Sequence, residues 1–190
     1  MAHENAFADR RNANEAAYSG RSLRRDGARH RSGVDTDLRQ LADVLGMSDS
    51  TTLRVLRAAG YTADTVKLLD FVPLVLVAWA DGTMSRRERA VILDAASERQ
   101  IEGQTPADAL LQEWLAACPC TPLCNILVLR VVMSALPSAQ RASRRRDLLA
   151  RCDVVASASR SVFGFGPKIS QKERRTIEHI AATLERPPTW

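Results

Sequence analysis

The stretch Phe71-Val72-Pro73-Leu74-Val75-Leu76-Val77-Ala78-Trp79-Ala80-Asp81-Gly82, leading through Thr83 into Met84-Ser85-Arg86-Arg87-Glu88-Arg89-Ala90-Val91-Ile92, decides the fold. Its apolar part, counted from Leu68 to Ala80, is interrupted by Asp70 and Pro73 and falls well short of the roughly 20 residues that cross a bilayer. It therefore reads as a buried helix of a globular protein. Asp81-Gly82 stops that helix. Ser85 and Glu88 then form a capping box, in which the Ser hydroxyl accepts from a free backbone N–H while the Glu carboxylate accepts from the Ser N–H. The stretch thus predicts helix, turn, helix. Asp81 stands out, because a carboxylate at a helix C-terminus opposes the macrodipole unless it caps the next turn or meets a cation.

The pattern returns in the second half of the chain. Val77-Ala78-Trp79-Ala80-Asp81 matches Val155-Ala156-Ser157-Ala158-Ser159, and Met84 to Ile92 matches Ile169-Ser170-Gln171-Lys172-Glu173-Arg174-Arg175-Thr176-Ile177. Ser170 and Glu173 repeat the box. The second copy carries seven extra residues in the region of Arg160 to Gly166, and it has Ser159 where the first has Asp81.

Outward from these copies the signals remain helical. Leu38, Leu41, Val44 and Leu45 form a stripe ending at Gly46, and Ser48 or Ser50 is expected to cap a helix that closes at Gly60. Thr62 is expected to open a long helix through Ala80, kinked at Pro73. Thr105-Pro106 and Thr121-Pro122 each place a capping hydroxyl before a proline at the first helical position. Two more helices follow, about Ala139 to Ser161 and Gln171 to Glu185. No stretch alternates as a strand does. The expectation is an all-α, compact bundle of about seven to eight helices with an internal two-fold helix-turn-helix repeat. Residues 36–186 form that domain, residues 1–35 an arginine-rich disordered arm poor in large apolar side chains, and 187–190 a short tail.

The 190 residues carry 45% apolar side chains, enough to fill a core, and a net charge of +5 that tolerates an anionic partner without requiring one. The N-terminus lacks the basic start and apolar stretch of a secretory signal, so the four cysteines are expected to be reduced and the protein to stay in the cytoplasm.

The turn Ala78-Trp79-Ala80-Asp81-Gly82 with its Ser85/Glu88 box, together with Phe163-Gly164-Phe165-Gly166-Pro167-Lys168-Ile169-Ser170-Gln171-Lys172-Glu173, resembles the TerB-like domain of bacterial tellurite-resistance proteins over roughly residues 50–185. The resemblance implies an all-helical cytoplasmic module linked to a stress response. It also implies a membrane-embedded partner of the tellurite-resistance system, contacted at the inner membrane, and weak binding of Ca or Mg. By position, the cation site would comprise Asp81 and Glu88, with Glu173 from the second copy. The turn is no EF-hand, since Gly82 follows Asp81 directly where that loop needs a run of twelve residues with its Gly in the middle.

Four other constellations carry chemistry of their own. Arg141, Arg144, Arg145 and Arg146 occupy the first two turns of their helix, where positive charge is unfavourable to the dipole. They read either as a solvated face or as the contact for an acidic protein, anionic lipid or nucleic acid, and they are the partner-binding candidates. Residues 40–58 resemble a helix-turn-helix, the basis of an alternative nucleic-acid-associated reading, but Asp49, Ser50, Thr51 and Thr52 head the second helix where base-reading Arg, Asn or Gln would belong. Cys118, Cys120, Cys124 and Cys152 lack the paired spacing of zinc sites. His3, His30 and His179 lie far in sequence from any nucleophile signature, so no enzymatic activity is expected.

Overall fold

The computed structural model describes residues 35–117, 122–158 and 169–186, and of 122–124 only the backbone. Every regular element among them is helical. Helix α1 covers 35–45, α2 Ser50–Ala58, α3 Val72–Ala78, α4 Arg86–Ser97, α5 Pro106–Ala116, α6 Pro122–Ser134, α7 Ser138–Ala158 and α8 Gln171–Glu185, with a 3-10 helix at Val66–Phe71. The expected arm at 1–35 falls outside the described residues except for Asp35, which is already helical. The tail 187–190, Thr121, and the extra loop of the second copy with Ser159 also lie outside them.

α3 is apolar on nearly every side, with Val72, Pro73, Leu74, Val75, Val77 and Ala78 all buried. A helix without a polar face belongs in the middle of a core. The packing agrees: α3 touches α4, α6, α7 and α8, and α7 in turn packs on α4 and α8. The helices of the two sequence stretches, α3 with α4 and α7 with α8, meet through α3 and α7, and Val155, Ala156, Val77 and Ala78 are all buried. α2 closes one side against α6, contributing Leu53 and Leu56, while α1 contributes the fully buried Leu41. Val44 of the predicted stripe is 47% exposed, one step off the face that Leu38, Leu41 and Leu45 present to the core.

Two local expectations need correction. The long helix from Thr62 to Ala80 does not form: residues 66–71 wind as a 3-10 helix, and α3 starts at Val72 with Pro73 in its first turn. Proline lacks the N–H and its ring would strike the carbonyl four residues back, so the chain starts a new α-helix around it instead of bending an old one. α2 is capped by neither serine. Asp49 holds the N-cap position, its Oδ2 accepting from Thr52 N–H at 2.7 Å, and the Thr52 side chain together with this N–H holds the Asp49 carboxyl below its usual value. Thr105 before Pro106 caps α5 as expected, accepting from Asp108 N–H at 3.1 Å.

Candidate functional site

Both capping boxes form. Ser85 Oγ accepts from Glu88 N–H at 3.2 Å and Glu88 Oε2 accepts from Ser85 N–H at 2.7 Å. Ser170 Oγ accepts from Glu173 N–H at 3.1 Å and Glu173 Oε2 accepts from Ser170 N–H at 2.6 Å. The two glutamates are the buried charged residues of the described chain, each 3% exposed. They lie near enough for Glu173 to act on the Glu88 carboxyl. Burial pushes the Glu88 carboxyl above the ordinary range; its Ser85 hydrogen bonds act the other way, and Glu173 raises it further. A proton on Glu88, or a cation beside it, would lessen the cost of burying this carboxyl.

Asp81 does not join this pair. It is exposed, and its Oδ1 accepts from the Thr83 backbone N–H at 3.0 Å and from the Thr83 hydroxyl at 3.2 Å, while Gly82 takes φ +96° to complete the turn. The acid at the end of α3 is thus explained as the cap of the following turn. Among the described residues no three His, Cys, Asp or Glu side chains gather as a metal site. Glu88 and Glu173 supply the hard oxygen donors that Ca or Mg prefers, but only two residues of them, so a cation there would keep most of its water.

The site is held from outside by α5. Arg89, one residue past the box, donates from Nη2 to Gln112 Oε1 at 2.8 Å and from Nη1 to the Leu115 carbonyl at 3.2 Å. Trp79 of the motif donates from Nε1 to the Trp114 carbonyl at 3.0 Å. Both bonds use carbonyls of the last turn of α5, which that helix leaves unpaired.

The four arginines of α7 do not form one patch. Arg141 Nη2 donates to the carbonyls of Ser134 and Leu136 at 3.2 and 3.1 Å, closing the end of α6. Arg144 forks onto Asp70 Oδ1, with Nη2 at 2.7 Å and Nε at 3.2 Å. Arg145 pairs with Glu185 at 3.0 Å, and Arg146 reaches only the Ala142 carbonyl at 3.4 Å. Arg141, Arg145 and Arg146 border one hollow beside Leu184, and Arg144 belongs to another beside Arg99. Tertiary partners therefore explain charges that the helix dipole does not. The partnership of Arg144 with Asp70, across 74 residues, has no local signal in the sequence.

In α2 Arg54 is exposed, Arg57 pairs with Asp37 of α1 at 3.6 Å, and Leu53 and Leu56 are core. Cys152 is buried, and burial, helped by Asp153, pushes its thiol up to about 12. Cys118 and Cys120 lie outside the described residues, as does the side chain of Cys124. His179 is an exposed residue of α8. No helix among the described residues is long and apolar enough to cross a membrane. No protein-family model, no curated protein and no solved structure matches the chain.

Proposed function

We propose that the protein is a non-enzymatic, TerB-like binding module of a stress response. It contacts a protein or membrane-associated partner from the cytoplasmic side, and a weakly held divalent cation between Glu88 and Glu173 modulates the contact. The observation that carries this reading is the nearness of the two buried box glutamates, one from each copy of the motif. Each carboxylate already caps its own helix, so a positive charge placed between them ties the starts of α4 and α8 together. The bound ion supplies neutralisation there and no redox chemistry. Asp81, committed to its own turn, is left out of the cation site. The surface that meets the partner is read as the arginine-bearing start of α7, with Arg146 as its exposed member, since Arg141, Arg144 and Arg145 are engaged with carbonyls, Asp70 and Glu185.

Affinity capture from native cells, with and without chelator, tests the reading. The expected result is one partner enriched by the wild type with divalent cation present and depleted by chelator or by Glu88→Gln. Capture of the same partner at equal yield in all three conditions would remove the cation from the account. Recovery of nucleic acid, with loss on Arg54→Ala, would replace it with the alternative reading.

A further inference from the structure

The face of α7 that carries Ser143, Arg144, Asp147 and Arg151 repeats at spacings of three and four, so these side chains stand above one another along one side of the helix. Opposite them lie Asp70, at the end of the 3-10 helix, and Arg99, in the turn after α4. Together they line an open hollow of about 490 Å³. That is within the size range of small-molecule sites and larger than a bare inorganic anion needs.

The charges of this hollow are unevenly matched. Asp70 serves two arginines, with Oδ2 3.2 Å from Arg99 Nη1 and Oδ1 2.7 Å from Arg144 Nη2. Arg99 is further fixed by the Phe71 ring, 5.3 Å from its guanidinium carbon. Arg151 is half-buried, and its guanidinium makes no hydrogen bond or ion pair with any described residue. Burial holds the Arg99 guanidinium below its ordinary value; Asp70 opposes this, while the charges of Arg151 and Arg144 add to it. Three guanidiniums therefore share one hollow, with one shared carboxylate bridging two of them.

We propose that this hollow binds a small phosphorylated molecule, its phosphoryl group held by Arg99, Arg144 and Arg151. Each guanidinium carries five N–H donors, and the bonds to Asp70 use one of Arg99 and two of Arg144. A phosphomonoester presents three acceptor oxygens and a charge near −2, which matches several forked cations better than a single carboxylate does. Asp147, on the same face, repels the ligand and so limits its affinity. The site is separate from the Glu88 and Glu173 pair, and the proposal stands whether or not a cation binds there.

The test is calorimetric titration of the full chain with glycerol 3-phosphate and with pyrophosphate, using acetate as the carboxylate control, at low and physiological ionic strength. Both phosphorylated probes should bind saturably at millimolar concentration or below, and acetate should not. Arg151→Gln should weaken binding about tenfold or more, the loss of one charge-assisted hydrogen bond, with the melting temperature unchanged. Asp147→Asn should tighten it. Should Arg151→Gln prove unstable, Arg151→Lys keeps the charge without the fork and is expected to bind more weakly than wild type. Absence of saturable binding by wild type would overturn the proposal, as would affinities that neither Arg151 variant nor Asp147→Asn alters. Flotation with phosphatidylcholine vesicles, with and without phosphatidic acid, separates the sources of phosphate. Binding only to the phosphatidic acid vesicles would assign the arginines to a lipid surface and overturn the small-molecule ligand.

Discussion

Glu88 is asked to do two things that conflict. As the third residue of α4 it serves best as an acceptor for the Ser85 N–H, while burial, and after it the neighbouring Glu173, favours its protonated form. A folded-state value raised above the unfolded one means that the native state binds the proton more tightly. Its contribution to stability is complete below the ordinary glutamate range and is lost as pH rises through the elevated folded value. In chelator, unfolding measured from pH 4 to pH 8 should therefore show wild type losing stability relative to Glu88→Gln as pH increases. Gln keeps the cap and adds an amide donor towards Glu173, so the variant should equal or exceed wild type at pH 8. Glu88→Ala, which loses the cap, should cost about 1 kcal/mol. A wild type and Glu88→Gln that run parallel across the whole range would contradict the paired-carboxylate account. Cys152 offers a second check. With its thiol pushed up to about 12 inside the core, alkylation at neutral pH should label it only after denaturant is added, as peptide mapping would show.

Caps and breaks explain how the individual helices were and were not legible in the sequence. Ser85, Ser170 and Thr105-Pro106 announce helix starts because a cap is a local bargain between a hydroxyl and an N–H two or three residues on. The same chemistry was available to Ser48, Asp49 and Ser50, and only the backbone geometry selects Asp49. Pro73 signals a change of helix, but whether it kinks one helix or begins another depends on the 3-10 geometry of the preceding residues. Partnerships between distant elements leave no such mark. Asp70 appears in the sequence as an interruption of an apolar run, whereas in the fold it holds Arg99 and Arg144 and so joins the 3-10 helix to α7 and to the end of α4. Asp70→Ala should cost about 1–3 kcal/mol, discounted for partial exposure, because two guanidiniums then face each other without their shared acceptor. Chemical denaturation measures this, and a change below a few tenths of a kcal/mol would show the bridge to be incidental. In α2, Leu53→Ala should cost about 2–5 kcal/mol as a core truncation, while Arg54→Ala should be silent.

The chain as a whole follows from one buried, featureless helix around which polar-faced helices must gather. Val72 to Ala78 has no side fit for water, and α4, α6, α7 and α8 each offer it an apolar stripe. That much is written in the hydrophobic pattern, and so is the all-helical class. The candidate cation site was legible only in part. The Ser-x-x-Glu boxes marked Glu88 and Glu173 as caps, and only the TerB-like resemblance made them, with Asp81, a cation site; Asp81 is spent on its own turn, since a turn that uses its own acid looks in sequence like a turn that offers it. That the two glutamates lie near each other follows from the packing of α4 and α8 on α3 and α7, which no single segment encodes.

The most direct test is a calcium and magnesium titration at pH 7.5 followed by thermal unfolding of wild type, Glu88→Gln and Asp81→Asn. A cation held between Glu88 and Glu173 predicts that wild type and Asp81→Asn gain stability with the logarithm of ion concentration above the dissociation constant, while Glu88→Gln gains none. An identical response in all three proteins, or no response in wild type at millimolar ion, would contradict it.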